Sequence, residues 1–296
     1  MRAAGAVPAR TLVALALLTL LWGVNWPVMK LALRELPPLT FRALTMTGGA
    51  VLLFVWYRLR GIPLQLPRTA LAQVLLLALP NILGWHALSI FGVQSLASGR
   101  AAIVGFTMPV WTVLMGVLFF GERMSPRLWL ATLSTATALM LLMWHELGRL
   151  SGNPAGLAWM LAAALSWAIG TLLLKRIPAA VPTEVMTVWM IGATVPVMWA
   201  LALLMEPPLG RWPSGAGWAT LAYGALINYG VAQILWFSIA RSLPPVASAL
   251  SIMLIPIVGL LSAVPITQEL PYPEDFLAAG MIALALAVTL MPGKSR

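Results

Sequence analysis

Apolar runs of about 20 residues, each closed by charged residues, proline or glycine, recur along the whole of this 296-residue chain. A bilayer core is about 30 Å thick and a helix rises about 1.5 Å per residue, so one run is one crossing. Hydrocarbon offers backbone amides no partners, and the alternating short strands of a barrel are missing from the pattern, so the spans are expected to be helices. The runs are 10–31, 39–58, 69–91, 98–119, 127–145, 155–176, 183–204, 214–239, 245–267 and 272–291. The expected fold is therefore an all-α integral membrane protein of ten transmembrane helices joined by short loops, with no room for a separate extramembrane domain. The first run continues from Leu12 through Trp22, Asn25 and Trp26 without a small-residue cleavage site, so it reads as a retained helix rather than a signal peptide.

Composition narrows the partners. A net charge of +10 would suit nucleic acid if the 18 Lys and Arg residues clustered, but they stand singly at helix ends and read as topology signals. With a cytoplasmic N-terminus, twelve cations fall inside and six outside: Lys30, Arg34, Arg42, Arg100, Arg149 and Arg211. The positive-inside rule then expects both termini in the cytoplasm. The chain has no cysteine, which excludes disulfides, thiolate catalysis and Cys-ligated metals together.

Sliding the chain along itself by 147 residues superposes rare residue types: Asn81 on Asn228, Ser95 on Ser242, Pro109 on Pro256, Glu122 on Glu269 and Pro126 on Pro273. Trp22 and Lys30 meet Trp167 and Lys175 at a slightly smaller offset. Each copy holds five runs, an odd number, so the second copy, 151–296, must enter the membrane from the side opposite to the first, 1–150. Inverted repeats of this kind are the architecture of secondary carriers, with a solute site near the midplane.

The segment LASGRAAIVGFTMPVWTVLMGVLFFGERMS, residues 96–125, resembles the signature half-repeat of the drug/metabolite transporter superfamily, in particular its ten-helix EamA-type exporters. The second copy is degenerate: it keeps Pro256 and Glu269, while Gln268 and Leu270 replace the glycine and arginine flanking Glu122. Within the family the chain resembles the YddG-type exporters of aromatic amino acids. The resemblance implies efflux of amino acids or related metabolites across a bacterial inner membrane.

Polar groups inside hydrocarbon are costly, so each is a candidate contact for a solute or for a neighbouring helix. Asn81 and Asn228 occupy equivalent midspan positions, and His86 and Gln233 follow five residues later in each copy. Trp22, Trp111 and Trp167 lie deeper than the headgroup belt that accounts for Trp56, Trp129, Trp144, Trp212 and Trp218, where their rings suit a cavity wall. Asn25, Tyr229, Ser248 and Ser251 complete the expected substrate-binding set, the alternative for each being helix packing. Pro109 and Pro256 interrupt their helices and are candidate hinges, and Glu122 and Glu269, at helix ends, are candidate gate contacts.

The expected function is alternating-access export of a small organic solute by a monomer embedded in the lipid bilayer, without metal, cofactor or nucleic acid. No Asp or Glu falls deep in a run, which favours facilitated movement over tight proton antiport and disfavours cationic drugs as substrates. A channel-like pore remains the alternative. Catalysis is not expected, because His86, His145 and the eight acidic residues form no acid, base or metal-ligand pattern and there is no P-loop.

Overall fold

Helices follow the apolar runs to within a few residues in a computed structural model that describes residues 9–121, 124–148, 154–177, 181–236 and 254–290, the start of the ninth run, 245–253, lying outside the described residues. They are α1 (Ala9–Ala32), α2 (Pro38–Leu59), α3 (Arg68–Ser95), α4 (Ser98–Phe120), α5 (Pro126–Gly148), α6 (Pro154–Arg176), α7 (Thr183–Met205), α8 (215–236), α9 (Ile255–Thr267) and α10 (Pro273–Leu290). Four of them begin at a proline, Pro38, Pro126, Pro154 and Pro273, where the missing N–H is one the helix leaves unpaired anyway. Among the described residues there is no strand, and six helices are long and apolar enough to cross a membrane by length and composition. Large side chains that a water-soluble protein would bury face outward, among them Leu118, Phe119, Leu203 and Leu204. A bilayer, being as apolar as they are, removes the cost of exposing them.

The helices exchange partners between the two halves. Helix α1 packs on α9 as α6 packs on α4, α2 packs on α8 as α7 packs on α3, and α1 meets α8 as α6 meets α3. The pairs α2–α7, α4–α9 and α5–α10 each join a helix to its own repeat equivalent. Each copy therefore completes its core on the other.

Backbone irregularities repeat as well. Helix α3 widens into a π-type turn over Leu79–Gly84 and α8 does so over Tyr223–Val231. In α3 the cause is visible: Pro80 has no N–H and its ring crowds the preceding turn. Asn81 Nδ2 donates to Leu77 O at 2.8 Å, and Ser166 Oγ of α6 donates to Pro80 O at 2.9 Å. In α8 the position of Pro80 is held by Ile227, so the wide turn there does not depend on proline. Helix α4 is broken after Gly105, and Pro109 sits in the first turn of its second half; Pro256 sits in the first turn of α9 in the same way. The copies also end alike. Gly121 after α4 has φ 66° and Gln268 after α9 has φ 61°, so the second copy keeps a left-handed cap without the glycine that normally serves it.

Four of the six cations expected in outer loops are tied into the helices instead. Lys30 Nζ donates to Gln94 O and Leu96 O at 2.7 and 2.8 Å, and Arg34 donates to Thr267 O at 3.0 Å. Arg100 is paired with Asp275 at 2.7 Å, both nearly fully buried, and Arg42 is enclosed between helices. Charges held this way are part of the fold and carry less topological information than free loop cations.

Candidate functional site

Where α3 of the first copy meets α8 of the second, Tyr229 and His86 bring the halves into polar contact. The Tyr229 hydroxyl lies 2.9 Å from His86 Nδ1, with the ring centroids 5.1 Å apart and both residues buried. Tyr229 follows Asn228 on the wide turn of α8, and His86 lies just past the wide turn of α3, so both bulges aim side chains at the seam. Gly49 of α2 is what lets Tyr229 reach it, since a Cβ there would overlap the tyrosine side chain.

Arg42 of α2 closes the cluster. It is 3% exposed, donates to Ser89 Oγ at 3.2 Å, and has Tyr229 and His86 as its electrostatic neighbours. The Tyr229 phenol is also hydrogen-bonded to this guanidinium, and among the described residues Arg42 has no carboxylate neighbour and its buried Nε has no hydrogen-bond partner.

Two indole pairs flank the seam on helix pairs related by the repeat, α1–α8 and α6–α3. Trp22 of α1 packs on Trp236 of α8 at 5.8 Å, and Trp167 of α6 packs on Trp85 of α3 at 5.3 Å. Asn228 is buried on its wide turn, and Gln233, one helical turn beyond Tyr229, is half-buried. Asn25 is buried on α1 between Trp22 and Trp26. Asn81 lies apart from the cluster, its amide against Gly170 of α6, where a Cβ would collide with it. Trp111 also lies elsewhere: its Nε1 donates to Thr107 Oγ1 at 3.0 Å, and its ring lines a cleft of about 200 Å³ with Thr132, Thr135 and Leu139 of α5. Ser248, Ser251 and Glu122 lie outside the described residues.

On the face where α1 ends and α2 begins, three carboxylates cap helices across the bundle. Glu269 accepts from Ser98 N and Oγ at 2.8 and 2.6 Å, holding the end of α9 to the start of α4. Glu206 accepts from Leu39 N, Thr40 N and Thr40 Oγ1 at the start of α2. Glu35 accepts from Ser214 N and Oγ, at 2.8 and 2.6 Å, at the start of α8. Each puts a negative charge at the positive end of a helix dipole. The Ser214 hydroxyl, and after it the Ser214 N–H, holds the Glu35 carboxyl below the usual glutamate range.

Arg42, Ser89, Trp85 and Trp236 belong to this region and were missed by sequence reasoning. For Arg42 a signal existed, because it lies inside the run 39–58, and an ionisable residue within a span is a functional candidate by default. Counting it as a loop cation hid it. The two indoles had no signal, since neither matches a tryptophan in the other copy.

Ten helices in two exchanged copies, around a seam of aromatic and polar side chains, define a membrane transporter. The EamA-like transporter family profile matches residues 9–144 and again residues 154–291, and the chain belongs to that family. It is 27% identical over 282 residues to the uncharacterized inner membrane transporter YedA of Escherichia coli (strain K12), covering 94% of this chain and 90% of that one. It is 26% identical over 217 residues to the aromatic amino acid exporter YddG of Ancylobacter novellus, covering 71% and 74%. A solved structure titled only as the crystal structure of a protein shares the fold, with TM-score 0.65 and 23% identity over 93% of this chain and 96% of that one. The protein is thus a multi-pass transporter of the bacterial inner membrane.

Proposed function

We propose that the protein exports amino acids with aromatic or bulky apolar side chains by alternating access at the seam between its halves, 1–150 and 151–296. In this reading the halves are inverted, both termini are cytoplasmic, the monomer is the working unit, and movement follows the solute gradient. The observation that carries it is the His86–Tyr229 contact between the copies, flanked by the indole pairs Trp22–Trp236 and Trp167–Trp85. Indole faces suit an apolar or aromatic side chain, while a phenol and an imidazole can satisfy a polar head group. The likeness to YddG, named for aromatic amino acid export, points the same way.

Gradient-driven movement is supported by where the described carboxylates sit. Glu184 is in the first turn of α7, Glu274 and Asp275 are in the first turn of α10, Glu146 is in the last turn of α5, Glu206 and Glu269 follow the last turns of α7 and α9, and Glu35 is in a loop. Proton-coupled carriers more often use a midspan carboxylate. The alternative of cationic drug efflux is disfavoured by Arg42 beside the seam, whose charge repels a cation by about 4 kcal/mol at 4 Å in a medium of effective dielectric about 20.

The test is counterflow in proteoliposomes with a panel of amino acids. Saturable exchange of aromatic or branched amino acids, weakened at least fivefold in KM by Trp22→Ala, Trp167→Ala or His86→Ala, supports the reading. Unsaturable flux would make the protein a pore, and wild-type kinetics in all three variants would move the site elsewhere.

A further inference from the structure

Arg42 presents a chemical problem that the fold alone does not solve. A guanidinium has five N–H donors and a full charge, and enclosing it among helices is expensive unless acceptors surround it. Arg42 is 3% exposed, so it does not reach the headgroups as a snorkelling arginine does. Among the described residues its hydrogen-bond partners are two neutral hydroxyls, Ser89 Oγ at 3.2 Å and the Tyr229 phenol. Among the described residues its Nε is enclosed without a partner, and its electrostatic neighbours are the Tyr229 phenol and the His86 imidazole rather than an acid.

The other buried arginine shows what a structural arginine looks like in this protein. Arg100 Nε meets Asp275 Oδ1 at 2.7 Å, Arg100 Nη2 lies 3.4 Å from Oδ2, and the guanidinium lies over the Tyr272 ring at 5.1 Å. That arginine is neutralised within the fold. Arg42 has no such carboxylate among the described residues, and it stands beside the His86–Tyr229 contact between the two halves.

We propose that Arg42 is a binding residue for the carboxylate of the transported solute, and that the substrates are organic acids or zwitterions, not amines or neutral amides. The inference rests on the reading of the seam as the solute site, and it narrows that reading from a size and shape to a charge. A planar carboxylate supplies the acceptors that a guanidinium fork lacks, and charge-assisted hydrogen bonds of this kind are the strong ones. The Tyr229 hydroxyl, already between His86 and Arg42, is placed to add a donor to the same carboxylate. The indole pairs on either side then take the apolar part of the solute.

The test is competition for counterflow in proteoliposomes containing the full chain. The probes are L-phenylalanine, N-acetyl-L-phenylalanine, L-phenylalaninamide and phenethylamine, with matched leucine derivatives. The two carboxylates of each set are expected to compete at least tenfold better than the amide and the amine. Arg42→Gln should remove that tenfold preference, and Arg42→Lys, which keeps a cation without the fork, should retain part of it. Because the acid-to-amide comparison is made on the wild-type protein, it stands even if a variant fails to fold.

The outcomes separate the two claims. If wild-type protein exchanges phenylalanine or leucine and their amides equally well, or a folded Arg42→Gln keeps the wild-type preference, the carboxylate anchor is wrong while amino acid export stands. If the N-acetyl acids are exchanged and the amino acids are refused, the anchor stands and amino acid export falls. Exchange of the amine alone overturns both.

Discussion

The Glu269 carboxylate takes both hydrogen bonds that Ser98 offers, one from its backbone N–H at 2.8 Å and one from its hydroxyl at 2.6 Å. Glu269 ends α9 and Ser98 begins α4, so one side chain holds together two repeat-equivalent helices at one membrane face. Glu206 does the same for the equivalent helices α7 and α2 on that face, and Glu35 ties the loop after α1 to the start of α8. In the proposed alternating-access cycle these contacts, and those of Lys30 and Arg34 beside them, would have to part for the face to open. Hydrogen bonds to a charged group contribute about 1.5–3 kcal/mol each when well enclosed and less where water reaches them. Glu269→Ala is expected to favour the conformation open at this face. With no native cysteine to interfere, Leu96→Cys, at a buried site near the contact, reports it by maleimide labelling. Labelling should be several-fold faster in the Glu269→Ala background than in its absence.

Gln268 carries the left-handed backbone that Gly121 carries in the first copy. A side chain at such a position costs free energy that glycine avoids. Gln268→Gly should stabilise the protein by about 0.5–1 kcal/mol, less whatever the unfolded chain gains in freedom. Thermal unfolding in detergent measures it, as a small rise in melting temperature.

Glycines at two helix positions are expected to respond oppositely to a methyl group. Gly170 faces the Asn81 amide so closely that a Cβ would overlap it, whereas nothing lies within 4 Å of a Cβ at Gly192 in α7. Gly170→Ala should destabilise by about 1–3 kcal/mol through overpacking. Gly192→Ala should be neutral or stabilising by up to about 1 kcal/mol, since alanine is the better helix former. The same melting experiment distinguishes them.

The Glu35–Ser214 contact should respond to acid. The bonds from Ser214 lower the folded pKa of Glu35, so the contact contributes fully above the ordinary glutamate value, about 4.3, and is lost as the pH falls through the depressed folded value. Protection of the Ser214 amide against hydrogen exchange, corrected for the intrinsic rate, should hold from pH 7 to 5 and fall in stronger acid. In Glu35→Gln, which has no carboxylate to titrate, that fall should be absent.

The helices were the most legible feature, because period and length alone set them: the run 98–119 became Ser98–Phe120 and 183–204 became Thr183–Met205. The copies were legible through rare residues, and the equivalences Gly121–Gln268 and Pro109–Pro256 reappear as matching backbone geometry. What stayed hidden was direction. A midspan asparagine can face a seam or a neighbouring helix, and nothing in the pattern shows that Asn81 turns to Gly170 while Asn228 sits beside Tyr229. Arg42 was read by its distance from a helix end, yet its surroundings come from Ser89 and Tyr229, 47 and 187 positions away in the chain.

A reversible lock at one face tests alternating access between the two copies most directly. Ser98→Cys and Glu269→Cys, combined in a chain that has no other cysteine, replace a contact of 2.6 Å with a pair of thiols that a short bis-methanethiosulfonate reagent can bridge through two reducible disulfides. Counterflow of the transported amino acid should fall to background when the pair is cross-linked and return on reduction. Counterflow at the unlocked rate through protein shown to be fully cross-linked would mean that α4 and α9 do not part during transport, and the account would fail.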